Sequence, residues 1–196
     1  MMTFLGRVRC WRVVGTCLLI AVLAGFGRRH VAQGQSMPNP ASVVKPETYV
    51  SLDRVPRGAT FEAAVVVNIA KGFHMNSNKP SEDYLIPTTI TPNPPPGIRV
   101  IGTTYPPGQM KTFTFSPDKP LNVYTDTVTL RIKLVAEDSA ALGATAIPVT
   151  LRYQACNDTA CLPPVRLPLM VNLDVAATGA AAHHVHPEIF PATEKR

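Results

Sequence analysis

The sequence predicts an all-β fold, an immunoglobulin-like β-sandwich of about seven to nine strands. Three observations support this prediction. Apolar and polar residues alternate with period two in several segments, all 20 prolines lie after residue 35, and no long stretch shows helical periodicity. Period-two alternation places one face of a strand in a core and the other in solvent. Prolines interrupt sheets because they cannot donate ladder hydrogen bonds.

Three segments carry the alternation most clearly. Odd-numbered positions are apolar in 61–69 and in 165–175, and even-numbered positions are apolar in 127–134. Proline-rich stretches at 92–97 and 106–108 predict the breaks between strands. Shorter runs of similar composition supply the remaining predicted strands, at 49–52, 85–91, 98–104, 112–115 and 147–153.

The amino-terminal segment has the features of a secretory signal peptide. Arg7, Arg9 and Arg12 precede an apolar run over 13–26, and small residues at 32 and 34 fit a cleavage site. The alternative is an uncleaved anchor, but a run of about 14 residues falls short of the roughly 20 that span a bilayer. We therefore predict a signal peptide over 1–34 and no stable membrane span after its cleavage.

The net charge of +6 belongs mainly to that leader. Five of the 19 Lys and Arg residues and none of the 13 Asp and Glu residues precede position 35, which leaves 14 − 13 = +1. A nearly neutral remainder gives no electrostatic reason to expect nucleic-acid binding. We expect one domain over 35–176, exported most simply to a bacterial periplasm, and a disordered tail over 177–196.

Cys156 and Cys161 form the most distinctive chemical feature, in a segment between two predicted strands. If the alternation of the preceding strand continues, Cys156 faces away from the core, where its thiol can be attacked. A disulfide between them would close a loop of about six residues and contribute only about 2 kcal/mol. Because this stabilisation is small, a redox role is favoured over a structural one. Structural disulfides are nevertheless common in exported domains, so the spacing leaves both roles open.

The remaining candidate groups are expected to be structural. A zinc site normally needs four ligands, and no second cysteine pair is present outside the leader. His183, His184 and His186 lie in an alanine-rich tail without a carboxylate or cysteine pattern, so no metal is expected there. His74 is expected to be a loop residue with a hydrogen-bond partner rather than a catalytic base. No glycine-rich phosphate loop indicates a cofactor.

The cysteine segment resembles a known family. YQAC at 153–156 and CLPP at 161–164 are similar to the active-site hairpin of the amino-terminal periplasmic domain of the thiol:disulfide interchange protein DsbD family. Segments at 72–80, 83–87 and 121–124 resemble the same family in the same order, and the resemblance covers roughly 44–175.

The resemblance implies an immunoglobulin-like domain in which Cys156 and Cys161 cycle between dithiol and disulfide. It implies that Cys156 attacks a partner's disulfide and that Cys161 resolves the mixed disulfide. Electrons would come from a thioredoxin-like protein or a membrane electron-conduit protein. They would pass to periplasmic disulfide-bearing proteins, including disulfide isomerases and thioredoxins of cytochrome c maturation. Lacking its own membrane conduit, the chain is expected to be a component of a protein-disulfide reductase, with its reductant in trans.

The resemblance also implies a cap loop that shields the disulfide with an aromatic ring. By position, the cap is expected at 115–121, although no aromatic residue lies at the centre of that segment. The alternative function is a non-catalytic immunoglobulin-like binding module with a structural disulfide. The cap and docking candidates are Tyr84, Phe115, Asp118, Leu121 and Tyr124.

Overall fold

A computed structural model describes residues 37–191. After a short 3-10 turn at Pro40–Ser42, these residues form twelve strands, of which eight have five or more residues. No helix in this part of the chain is long and apolar enough to cross a bilayer. The strands are β1 (Val44–Val50), β2 (Val55–Pro56), β3 (Thr60–Ile69), β4 (His74–Asn76), β5 (Thr89–Pro92), β6 (Ile98–Thr104), β7 (Gln109–Phe113), β8 (Ser116–Tyr124), β9 (Thr127–Ala136), β10 (Gly143–Tyr153), β11 (Ala155–Cys156) and β12 (Val165–Ala176).

The strands form three four-stranded sheets. Their orders are β1-β3-β9-β6, β2-β12-β10-β5 and β11-β4-β8-β7. The first two sheets share one hydrophobic core, to which β3, β9, β10 and β12 contribute their buried side chains. The third sheet carries the cysteine segment and a smaller apolar cluster of its own. The described chain is thus an all-β, immunoglobulin-like sandwich, which confirms the predicted fold class.

Period-two alternation explains why the core lies where it does. In β9 the side chains of Val128, Leu130, Ile132 and Leu134 are buried, whereas those between them are not. β10 follows the same rule through to its last residue, Tyr153. In β12 the predicted apolar phase is fully buried only in the second half of the strand. Burial of these side chains supplies most of the driving force for folding.

One turn requires a glycine for steric reasons. Gly97 follows a run of prolines and has a φ of +84°. A Cβ built on Gly97 would lie 2.4 Å from the Cα of Ala140, closer than van der Waals contact permits. The loop containing Ala140 therefore packs directly on the backbone of this turn.

The tail is ordered to residue 191, so the predicted disorder is corrected for 177–191. His183 donates its backbone N–H to Asp53 at 2.9 Å. Arg131 donates its Nε–H to the carbonyl of Ile189 at 3.2 Å, and Phe190 is buried. The segment as a whole is rich in alanine, so its composition does not reveal the larger apolar side chains near its end. Burial of these side chains on the sandwich lowers the free energy of the folded state. Residues 192–196 and the predicted signal peptide lie outside the described residues.

Candidate functional site

Cys156 and Cys161 are joined by a disulfide inside one small hairpin. Their Cα atoms are 3.9 Å apart. Leu162 donates its N–H to the carbonyl of Ala155 at 2.8 Å, and the N–H of Asn157 is bonded to the carbonyl of Ala160 at 2.9 Å. The chain therefore reverses direction within the six residues that the disulfide closes.

Asn157 organises the turn between the two cysteines. Its Oδ1 accepts hydrogen bonds from the backbone N–H groups of Thr159 and Ala160, both at 2.9 Å. An asparagine side chain that bonds the backbone two or three residues later is typical of a tight turn. Pro163 and Pro164 then prevent the hairpin from extending into a longer ladder. The conformation of the cysteine loop is therefore set by residues within the loop and directly after it.

The base of the hairpin is held against β4. Within the antiparallel ladder, Cys156 lies opposite His74 and Ala155 lies opposite Met75. The Gln154 side chain donates to the carbonyl of Leu162 at 3.2 Å, which ties the two arms together. These contacts place the disulfide at the edge of the third sheet, beside the sandwich core.

The turn between β7 and β8 covers the cysteine loop. The rings of Phe113 and His74 are stacked with centroids 3.9 Å apart, and the ring of Phe115 stacks on Phe113 at 5.5 Å. The hydroxyl of Thr114 donates a hydrogen bond to the carbonyl of Asp158. The covering segment is thus the β7–β8 turn over 113–116, and it presents two aromatic rings. We call it the cap turn.

The segment that covers the cysteine loop is 113–116, whereas the cap was expected at 115–121. Most of that segment is strand β8. The β7–β8 ladder pairs Phe113 with Ser116 and then Lys111 with Leu121, so the residues at 117–120 bulge out of the ladder. Two prolines in this stretch suit a bulge because a bulge needs no donated ladder bonds. Phe113 was missed because the segment was expected to begin two residues later.

The structure buries Cys156, contrary to the sequence prediction that its thiol faces solvent. The residue is 1% exposed, whereas Cys161 is partly exposed. The alternation of β10 stops at Tyr153, and β11 is a separate two-residue strand, so the phase of β10 does not extend to Cys156. Cys161 is therefore the more exposed residue of the pair.

His74 also differs from its prediction. It is a strand residue, 2% exposed, and its Nε2 is a buried atom without a hydrogen-bond partner in the described part of the chain. Burial lowers the pKa of His74 to about 4, although the charge of Asp158 acts in the opposite direction. The imidazole is consequently neutral at physiological pH. A cavity of about 290 Å³ lies beside it.

The other predicted site residues fall into two groups. Tyr84 is 74% exposed, and Phe115 and Asp118 are exposed as well. Leu121 is buried with Phe113 in the small apolar cluster, so it packs against the cap turn. Tyr124 is buried, and its hydroxyl donates to Asn78 Oδ1 at 2.8 Å. The structure brings Phe115 and Leu121 to the cap turn, whereas Tyr124 holds the neighbouring loop.

Comparison with known proteins identifies the family. The family model described as the amino-terminal domain of thiol:disulfide interchange protein DsbD matches residues 41–169, which include both cysteines and the cap turn. The chain belongs to this family. A search of the curated proteins gave no match. In the described residues, no group of three or more His, Cys, Asp or Glu side chains is arranged to hold a metal ion.

Two solved structures are similar to this member of the DsbD amino-terminal family. One is the DsbD amino-terminal domain of Neisseria meningitidis in the reduced form, at 18% identity and a TM-score of 0.43, covering 76% of this chain and 96% of that one. The other is the amino-terminal periplasmic domain of ScsB from Proteus mirabilis, at 15% identity and a TM-score of 0.47. That match covers 70% of this chain and spans about half, 49%, of the ScsB chain.

Proposed function

We propose that the protein is an exported thiol-disulfide interchange module. Electrons pass through Cys156 and Cys161 between a thioredoxin-like donor, or a membrane electron-conduit protein, and periplasmic protein disulfides. The observation that carries the proposal is a disulfide confined to one hairpin and covered by the cap turn, in a chain of the DsbD amino-terminal family.

The position of the disulfide supports a role in thiol-disulfide exchange more than a role in stabilising the fold. Both cysteines belong to a single hairpin, whereas most residues of the main core lie on the long strands of the sandwich, which this disulfide does not connect. Closing about six residues removes little entropy from the unfolded chain, so the stabilisation is about 2 kcal/mol. Closeness of the two thiols, by contrast, lets one resolve a mixed disulfide formed on the other.

Exposure supports a division of roles opposite to the one that the family resemblance implies. Cys161 is partly exposed and Cys156 is buried, so Cys161 is proposed to form the mixed disulfide. The Cys161 thiolate attacks a partner's disulfide and one partner sulfur leaves as a thiolate. Cys156 then attacks the Cys161 sulfur, which forms the internal disulfide and releases the partner as a dithiol.

Trapping experiments test both the exchange and the roles. The full chain, with Cys10 and Cys17 replaced by serine, is mixed with a thioredoxin whose second active-site cysteine is serine and whose remaining thiol is activated. Cys156→Ser is expected to accumulate a mixed disulfide at Cys161, located by peptide mass spectrometry. Cys161→Ser is the matched control and is expected to accumulate much less. Equal trapping by both variants would contradict the assigned roles.

The reduction potential separates exchange from the alternative function, a binding module with a structural disulfide. A structural disulfide has a potential below about −300 mV, whereas an exchanging one lies well above this value. Equilibration with glutathione or dithiothreitol buffers, read by alkylation of Cys156 and Cys161, measures it. A potential below that limit, together with no trapping by either variant, would favour the binding module.

Export is part of the proposal, with a signal peptide over 1–34 and a mature domain from residue 35. The leader has basic residues before its apolar run and small residues before the proposed cut. Expression in a bacterium, followed by mass measurement of the protein in the periplasmic fraction, tests it. An uncleaved protein retained in the membrane fraction would show that the leader is an anchor instead.

A further inference from the structure

His74 lies next to the buried cysteine of the site. The two residues are directly opposite each other in the antiparallel ladder between β4 and β11. Side chains at such paired positions lie on the same side of a sheet, with their Cβ atoms about 5 Å apart. Both residues are almost fully buried, His74 at 2% and Cys156 at 1% exposure. The imidazole and the Cys156 side chain are therefore neighbours on one side of this ladder, and the ring of Phe113 from the cap turn stacks on the imidazole.

The imidazole carries an unused hydrogen-bonding atom. His74 Nε2 is buried and has no partner in the described part of the chain. Proteins rarely leave such an atom unpaired, and an unpaired one calls for an explanation. With the disulfide formed, Cys156 has no S–H to donate. Reduction of the disulfide creates one, so the unpaired nitrogen has a natural partner only in the dithiol state.

The resolving step needs a base at this position. Thiolates, not thiols, attack disulfides, and a buried thiol resists ionisation because desolvation disfavours its charged form. The proposed role of Cys156 is to attack the sulfur of Cys161 within the mixed disulfide. Cys156 is 1% exposed, so its proton cannot pass directly from the thiol to bulk water. A neutral imidazole on the same side of the sheet is a suitable acceptor.

We infer that His74 is the base that takes the proton of the Cys156 thiol when Cys156 resolves the mixed disulfide on Cys161; the inference rests on the proposed function. The S–H proton moves to His74, the new bond forms between Cys156 and Cys161, and the bond from Cys161 to the partner breaks. The partner sulfur leaves as a thiolate and is protonated from solvent, and the imidazolium returns its proton to solvent. The domain's dithiol is oxidised and the partner's disulfide is reduced.

The charges around the imidazole fit this cycle. Asp158, on the cysteine loop, favours the protonated ring, and Lys111, on β7, opposes it. Lys71 and Asp126, which carry opposite charges, line the same cavity. Burial lowers the pKa of the resting ring to about 4, which leaves its lone pair free at physiological pH but also makes the ring a weak base. Asp158 then stabilises the positive charge that the ring gains in the transfer.

Two-phase kinetics with a small disulfide test the inference without any protein partner. The reduced full chain, with Cys10 and Cys17 replaced by serine, is mixed with dithiobis-nitrobenzoate. The first thiolate released reports attack by the first cysteine, and the second reports resolution by the other. His74→Phe keeps a ring stacked on Phe113 and removes both nitrogens. We expect it to slow the second release about 100-fold at pH 7 and to change the first less than about twofold.

The control variant is His184→Phe, which alters an exposed histidine of the tail and is expected to leave both phases unchanged. Equal slowing of both phases by His74→Phe would indicate a purely structural role, and an unchanged second phase would exclude a base; either result overturns the inference. If His74→Phe fails to give the wild-type near-ultraviolet circular dichroism, His74→Tyr is measured against the same criteria. If thioredoxin trapping fails while both phases of the kinetics behave as expected above, the proposed function is rejected. The role of His74 as a base would still stand in that case.

Discussion

The sandwich and the cysteine end of this molecule are built in opposite ways. In the sandwich, β10 and β12 pair over eleven positions, and β3 and β9 pair over nine, with apolar side chains on the inner faces. At the cysteine end, β4 has three residues and β11 has two. Buried polar side chains are concentrated here, since four of the five that the structure describes as buried lie between His74 and Thr88.

From this difference we expect stability and the proposed reactivity to depend on separate parts of one domain. Long ladders with apolar inner faces tolerate little change, because each buried side chain has many close neighbours. Short strands with buried polar groups contribute less to folding, but they hold reactive atoms in a dry environment. Three predictions test this separation, in order of decreasing effect.

The largest effect is expected from a cavity in the sandwich. Leu130 is completely buried on β9. Leu130→Ala should lower the free energy of unfolding by about 2–5 kcal/mol, because apolar contacts are lost and a cavity remains. Urea unfolding followed by circular dichroism measures it, and Leu142→Ala, at an exposed leucine, is the control. The reduction potential of the disulfide should not change, and a large shift in that potential would break the proposed separation.

The second prediction concerns acid stability at the cysteine end. The pKa of His74 is lowered from 6.5 to about 4 by burial, so the unfolded chain binds a proton that the native chain does not. The free energy of unfolding should therefore fall as pH drops from about 6.5 to about 4, by up to about 3 kcal/mol. Urea titrations at several pH values test this.

The matched variant for that prediction is His74→Phe, which should remove most of the slope in this pH range. Asp53 does not interfere, because its bonds to His183 lower its pKa to about 2 and its own contribution is lost only as pH falls from near 4 towards 2. A slope that persists in His74→Phe would place the acid-sensitive group elsewhere in the domain.

The smallest effect is expected at the cap turn. Thr114→Val removes the hydroxyl that donates to the carbonyl of Asp158 and keeps the shape of the side chain. One such bond is worth about 0.5–1.5 kcal/mol, so reduction of the disulfide by dithiothreitol should accelerate about twofold to tenfold. Thr112→Val, at an exposed threonine of β7, is the control. Equal rates in all three proteins would show that the cap turn does not limit access.

Local patterns in the sequence were sufficient to predict the sandwich and to single out the two cysteines that the structure joins in a disulfide. The alternation in β9 identifies its buried face without any tertiary information, because the period of a strand fixes the direction of each side chain. The cysteine pair was recognisable from its spacing and its flanking YQ and PP residues. In both places the signal lies within a dozen consecutive residues.

What the sequence did not reveal depends on contacts between distant segments. The burial of Cys156 follows from a two-residue strand and from the cap turn, neither of which has a periodic signature. His74 is covered by Phe113, from a hairpin later in the chain, so its own neighbours gave no sign that it is buried. The family resemblance implied a cap loop over 115–121, whereas the structure places most of this segment in β8, with 117–120 in a bulge beside paired residues.

The contacts between the tail and the sandwich bear on the order in which parts of the domain fold. The bond between His183 and Asp53 joins residues 130 positions apart. Closing so long a loop is entropically costly, and contacts of this span form late in folding. During synthesis, β3 and β9 are also complete before Phe190 emerges. We therefore expect the tail to pack on the sandwich late in folding, after the outer surface that it covers has formed.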